Sequence, residues 1–399
     1  MEYKPNYSDG SIVNLMTWVL NTYGIKNNYN SLSILNTIDS SKYDNIVNFV
    51  IDGLGYNYLE KYGKNSLILN NTLGKMTSVF PTTTSAAITS FATGKAPYEH
   101  GITGWYMKIK SKKTGLNIPS LVLPYTSRFD DKDLSKHGIV EQDIFRVKGS
   151  LEKIPNGYVV LPEDATHSTY SLNFNNGAKK LGYNSLTGFF SETISAIRDK
   201  ANKKEKSKSG KYIFSYLPSF DGLFHKEGEK SINLSDLFKI LNFELDKFLN
   251  SIKGTNTLVI LTADHGLLDT HDNKKVNLND YKHIQELLEF PLCGEPRTAY
   301  CYVKENKEKQ FIEYIKNDFS EMCDLYTREE LIKKNIFGLF GNTKKDDFFT
   351  DRVGNYILMM KKHWVIKDFL PNEKIKYHKA DHGGLSYEEL FIPMTVFEV

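Results

Sequence analysis

Three short apolar runs constrain this chain most: "NIVNFVID" (Asn45 to Asp52), "KYIFSYLP" (Lys211 to Pro218) and "NTLVILTADHG" (Asn256 to Gly266). Each is apolar almost throughout and breaks off in polar residues, the pattern of a strand covered on both faces. Between the second and third runs, "SDLFKILNFELDKFLNSI" (Ser235 to Ile252) spaces its apolar residues along one helical face, with Ser235 or Asp236 as the cap. Strand, helix, strand is a parallel crossover. The expected fold class is therefore α/β, a mostly parallel sheet with helices on both faces. The closing "IPMTVFEV" adds one more strand.

Composition sets wide limits. A chain of 399 residues with 40% hydrophobic and 25% charged residues is an ordinary soluble protein of one large domain, or a core carrying an insertion. A net charge of +3 argues for neither a nucleic acid nor an anionic membrane partner. The start, "MEYKPNYSDG", lacks the basic-then-apolar pattern of a secretory signal, and no apolar run is long enough to cross a bilayer. Cys293, Cys301 and Cys323 form neither a metal motif nor a disulfide framework. A cytoplasmic location is expected, with no stable nucleic-acid partner and no membrane insertion. The sequence leaves the oligomeric state open. The six lysines of "KANKKEKSKSGK" (Lys200 to Lys211) read as a solvated loop. The region 266–377, with the helix "NKEKQFIEYIKNDF" and the loop "FGNTKKDDFFTD", reads as an inserted cap, partly core. Residues 1–265 form the first part of the core and 378–399 its C-terminal part.

Ligands of open parallel sheets bind beyond the carboxyl ends of the strands. Those ends carry Asp52, then Asp221 and His225 in "SFDGLFHKEG", then Asp264 and His265 in "LTADHG". His382 stands in "ADHGGLS" before the last strand. Each alone is commonplace, since Asp-Gly is an ordinary turn and a lone histidine is usually structural. Together they supply three carboxylates and three imidazoles, a donor set for two divalent ions. Zinc fits it best, and manganese is tolerated. The spacing of Asp221 and His225 allows both onto one side of a helical turn.

The run "VFPTTTSAAITSFATG" (Val79 to Gly94) puts four hydroxyls after a proline at a helix start. Capping uses one of them. Beside two ions another can be a nucleophile, because a metal lowers the pKa of a hydroxyl that is otherwise too weak to attack.

In this order the motifs "VIDGLG", "FPTTTSAAITSFATGKAPYEHGITGW", "FDGLFHKEG", "TADHG" and "DHGG" resemble the alkaline phosphatase superfamily, within it the nucleotide pyrophosphatase/phosphodiesterase (type I phosphodiesterase) family. The resemblance spans about Asn45 to Val399. It implies an alkaline phosphatase-like sheet with an inserted cap. It also implies one zinc on Asp52, Asp264 and His265, and another on Asp221, His225 and His382. Thr84 matches the nucleophile, itself a metal ligand, which leaves Thr82 and Thr83 as strand-end and capping residues. His378 lacks the glycine that follows in the family pattern and is set aside. His100 in "EHGITGW" reads as structural, Trp105 as a wall of the leaving-group pocket, and Arg297 as a possible phosphate contact set against an ordinary ion pair.

Two departures matter. Ala87 stands where animal-type members place an asparagine for the phosphoryl oxygens, so N–H groups at the helix start, or another side chain, must serve. The sulfatase pattern Cys-x-Pro-x-Arg is absent. The resulting expectation is a two-metal hydrolase of phosphoric esters, a phosphodiesterase or nucleotide pyrophosphatase working through a phospho-threonine on a nucleotide-like small molecule. The alternatives are a phosphomonoesterase of the same superfamily and a metal-binding member without turnover.

Overall fold

The computed structural model describes residues 2–200, 210–339 and 346–399. Most of the lysine-rich stretch and the first part of the "FGNTKKDDFFTD" loop lie outside the described residues. The main sheet has seven strands, in chain order β1 (Asn45–Ile51), β2 (Thr72–Thr77), β3 (Gly157–Pro162), β4 (Lys179–Tyr183), β5 (Lys211–Leu217), β6 (Thr257–Thr262) and β7 (Phe391–Glu398). Their spatial order is β2–β7–β6–β1–β5–β3–β4. β1 pairs in parallel with both β5 and β6, and β3 in parallel with β4 and β5. β7 runs antiparallel to both its neighbours. Every residue of β1 and β6 is buried, which is why those runs carry no polar alternation.

Helices cover both faces. On one, α1 (Ile12–Thr22) and α2 (Thr84–Thr93) pack over the even-numbered side chains of β5, with Phe91 against Phe214 and Met16 against Tyr212. On the other, α3 (Leu186–Arg198) and α5 (Ile232–Ser251) bring Phe189, Phe190 and Phe248 around Phe49 of β1. The helix expected from Ser235 starts earlier: Ser231 is the cap, its hydroxyl accepting from Leu234 N at 3.3 Å. Between β5 and α5 lies α4 (Ser219–Glu227).

A second seven-stranded sheet, antiparallel throughout, packs beside this core. It draws strands from 293–360 and also from Tyr106–Lys110, Asn117–Leu121 and Thr126–Ser127, segments the sequence reading placed with the core. The join is the pairing of Gly294 with Tyr106. The second sheet also supports the loop after His382: Thr298 Oγ1 donates to Gly383 O at 2.7 Å. Gly383 has φ +118°, and a Cβ there would lie 2.4 Å from Glu295 Cβ, so no side chain fits. Among the described residues, no helix is long and apolar enough to cross a membrane.

Candidate metal centre

β1 ends at Ile51 and delivers Asp52, and β6 ends at Thr262 and delivers Asp264 and His265. Because β1 and β6 are neighbours in parallel register, the three side chains meet. His265 Nε2 lies 3.4 Å from Asp52 Oδ1 and 3.4 Å from Asp264 Oδ2. Asp221 and His225 are one turn apart on α4, with Asp221 Oδ1 3.3 Å from His225 Nε2. Gly53 lets the two groups approach, since a Cβ there would meet Asp221 Cα at 3.0 Å. His382 completes the second group. Its ring stacks on His265, centroids 3.8 Å apart, and lies 5.0 Å from that of His225. Donor atoms of Asp52, Asp264 and His265 fall within 4.8 Å of one another, as do those of Asp221, His225 and His382. The structure thus gathers all six residues that the sequence reading placed at strand ends. His378, set aside earlier, lies in the same neighbourhood, grouped with His225 and Asp381.

The donor chemistry fits divalent cations. Asp52 Oδ1, Asp221 Oδ1 and Asp264 Oδ2 are buried carboxylate oxygens with no hydrogen-bond partner. All three imidazoles are held through Nδ1 by a backbone carbonyl: His225 by Ala380 at 2.6 Å, His265 by Gly266 at 3.1 Å and His382 by Thr82 at 2.9 Å. Donation from Nδ1 leaves each Nε2 as a free lone pair, the usual arrangement behind a metal. The electrostatics agree. Burial, then the charges of Asp264 and Asp221, pushes the Asp52 carboxyl well above its usual range. Burial likewise raises Asp221, although His225 and His265 oppose it. Burial, then His265 and His225, holds His382 well below the usual histidine value. Three buried carboxylates and three imidazole Nε2 atoms so placed form a cluster that could hold divalent cations.

Thr84 is the first residue of α2, and its Oγ1 lies 3.2 Å from His265 Nε2 and 3.4 Å from Asp52 Oδ2. Thr83 takes the N-cap position by backbone, without a side-chain cap bond. Thr82 turns away: its hydroxyl donates to Gly384 O at 2.8 Å and accepts from Gly383 N at 3.1 Å, tying the run to the His382 loop. From Thr84 opens a cavity of about 310 Å3, walled by Phe91, Leu123, Tyr170, Phe214 and Tyr216, with Asp164 and Asn175 among its polar residues. No Lys or Arg is among the described residues that line it.

Two expected residues fall elsewhere or serve another purpose. Trp105 is half-buried and outside the cavity wall, and its backbone N–H donates to Glu295 Oε1 at 2.6 Å. Arg297 is not a phosphate contact. Its buried guanidinium grips Glu389 at 3.0 and 2.9 Å and donates to the carbonyls of Lys362 and Trp364. His100 is structural as expected, between Ser90 Oγ and Ile102 N. Two residues escaped the sequence reading. Tyr216 donates to Asp52 Oδ2 from the end of β5. Glu295 reaches in from the second sheet beside Thr83, and burial pushes its carboxyl up to about 8. An acidic residue in "GEPR" and a tyrosine closing an apolar run give no distinguishing signal by themselves.

The family model for type I phosphodiesterase/nucleotide pyrophosphatase matches residues 46–385. The chain belongs to that family. Membership carries with it hydrolysis of phosphoric esters, of the phosphodiesterase or pyrophosphatase type. No curated protein sequence matches the chain. Among solved structures, murine ectonucleotide pyrophosphatase/phosphodiesterase 5 superposes with a TM-score of 0.62 at 16% identity, covering 88% of this chain and 87% of the other. Its inactive variant in complex with AMP gives 0.61 at 17% identity, with the same coverage. Phosphonoacetate hydrolase from Sinorhizobium meliloti 1021, in complex with phosphonoformate, gives 0.62 at 14% identity, covering 88% and 89%. At these identities the likeness is one of fold. This phosphodiesterase-family chain shares the α/β architecture of both.

Proposed function

We propose that this chain is a two-metal phosphodiesterase or nucleotide pyrophosphatase whose nucleophile is Thr84. The observation that carries the reading is the place of Thr84, within 3.4 Å of both Asp52 and His265 at the start of α2 and at the mouth of a largely apolar cavity. Asp52, Asp264 and His265 would hold one ion, with Thr84 beside it, and Asp221, His225 and His382 the other. When bound, two zinc or manganese ions supply the charge that acidifies the Thr84 hydroxyl and neutralises the oxygens on phosphorus. The chain's own residues do the rest. The Thr84 oxygen gives up its proton to solvent and attacks phosphorus, forming a bond to it as the bond to the leaving oxygen breaks, and the departing oxygen takes a proton from solvent. The unpaired N–H groups of the first turn of α2 face the phosphoryl oxygens, the work an asparagine does elsewhere. Water then displaces Thr84 from phosphorus and restores its hydroxyl.

Diesters are favoured over monoesters because a monoester brings a second charge. Among the described residues, the cavity offers aromatic walls and no basic residue to meet it. A nucleoside-like group suits those walls, in keeping with the AMP held by the fold relative. The test is a panel of p-nitrophenyl thymidine monophosphate, bis(p-nitrophenyl) phosphate and p-nitrophenyl phosphate, with zinc and after chelation. The thymidine ester should win over the monoester in kcat/KM by about tenfold or more, about 1.4 kcal/mol of differential transition-state binding. Turnover that survives exhaustive chelation would sink the reading.

A further inference from the structure

Tyr216 stands where the cavity meets the carboxylates. Tyr212, Phe214 and Tyr216 alternate along β5 toward α2, and all three line the cavity. Of the three, Tyr216, at the strand's carboxyl end, donates its hydroxyl to Asp52 Oδ2. That places two hydroxyls on one oxygen: Tyr216 closely, and Thr84 at 3.4 Å. The other oxygen, Oδ1, is buried without a hydrogen-bond partner and faces His265 Nε2 at 3.4 Å. The carboxylate is therefore pinned on one side and open on the other.

We propose that Tyr216 is a positioning residue. Its O–H fixes Asp52 so that Oδ1 stays turned toward His265 and Asp264 and the ion they would hold. By engaging Oδ2 it also leaves the Thr84 hydroxyl only a long, weak bond to Asp52. The closer neighbour of the Thr84 hydroxyl is then His265 Nε2, at 3.2 Å, and not the carboxylate. The ring of the same side chain forms part of the cavity wall, so one residue links the seat of the substrate's organic group to the geometry of the centre. This rests on the two-metal reading above. A hydrogen bond behind a ligating carboxylate is worth about 10–100-fold in metal affinity or activity.

Tyr216→Phe keeps the ring and removes only the O–H. Zinc binding to chelator-stripped protein is followed by competition with a chromophoric chelator, a readout independent of turnover. One of two zinc ions should bind about 10–100-fold more weakly in the variant, and the other as in the wild type. With zinc saturating, kcat for p-nitrophenyl thymidine monophosphate should fall while KM stays within about twofold. Tyr216→Leu, which also removes the wall, should raise KM in addition. Unchanged zinc affinity in Tyr216→Phe overturns the proposal, whatever happens to kcat. A rise in KM alone overturns it too, because the ring would then be acting on substrate. Failure of the wild type itself to take up zinc would overturn the two-metal reading, and that result is read before any variant is made.

Discussion

Thr82, Thr83 and Thr84 carry the same side chain at consecutive positions, and each hydroxyl meets different surroundings. Thr82 is bound to Gly383 and Gly384, Thr83 lies beside Glu295, and Thr84 reaches Asp52 and His265. Thr84→Ala should cost at least about a thousandfold in kcat, as loss of a nucleophile does, while keeping fold and zinc. Thr82→Ala should act on stability instead. It leaves a buried N–H and C=O without their partner, at a cost of about 1–3 kcal/mol, measurable by urea denaturation. Equal losses of turnover at both positions would mean that the run is structural. The hydroxyl run itself was legible in the sequence, but which hydroxyl faces the carboxylates depends on where α2 begins. Tyr216 was not legible, because a tyrosine ending an apolar run looks like core until the strand beside it is known.

The ends of β1 and β6 were easy to read, since burial on both faces forbids polar residues until the strand stops, and Asp52 and Asp264 mark the stops. The second sheet was harder. Its strands are short, and the contact of Gly294 with Tyr106 spans too much of the chain for any local pattern to show. Arg297 looked available for the same reason: Glu389, its partner, is far along the sequence. Arg297→Ala should leave the diester-to-monoester ratio unchanged and cost about 3–5 kcal/mol in denaturant unfolding, the penalty of an uncompensated buried carboxylate. Burial pushes the Glu389 carboxyl up, but Arg297 and the N–H of Gly384 more than reverse it, so its folded pKa is below the usual value. The stability it contributes is therefore present above the unfolded carboxyl pKa of about 4.3 and is lost as pH falls through the folded value. Unfolding at neutral pH and near pH 3 should show the wild type losing its advantage over Glu389→Gln on acidification. A constant difference would mean that the pair does not titrate in this way. For the cavity, Ala92→Phe projects a ring into the part of the cavity about two turns of α2 from Thr84 and should raise KM for p-nitrophenyl thymidine monophosphate about tenfold or more. An unchanged KM would place the organic group elsewhere.

At the scale of the molecule, the main sheet supplies carboxylates and imidazoles from strand ends and α4, and the second sheet fixes the His382 loop through Thr298. The centre exists only when both are in place, so metal binding and folding should be linked. Zinc at about a hundred times its dissociation constant should add about 2.7 kcal/mol to the stability of chelator-stripped protein. Calorimetry with and without the ion checks this, and an unshifted midpoint would argue against a preformed site. The central claim is that Thr84 itself attacks phosphorus before water does. The stereochemical course at phosphorus tests it most directly, using a chiral phosphorothioate diester hydrolysed in heavy-oxygen water. Two successive in-line displacements, first by Thr84 and then by water, predict net retention of configuration. Net inversion would mean that water attacks the substrate in a single step, and would contradict the account.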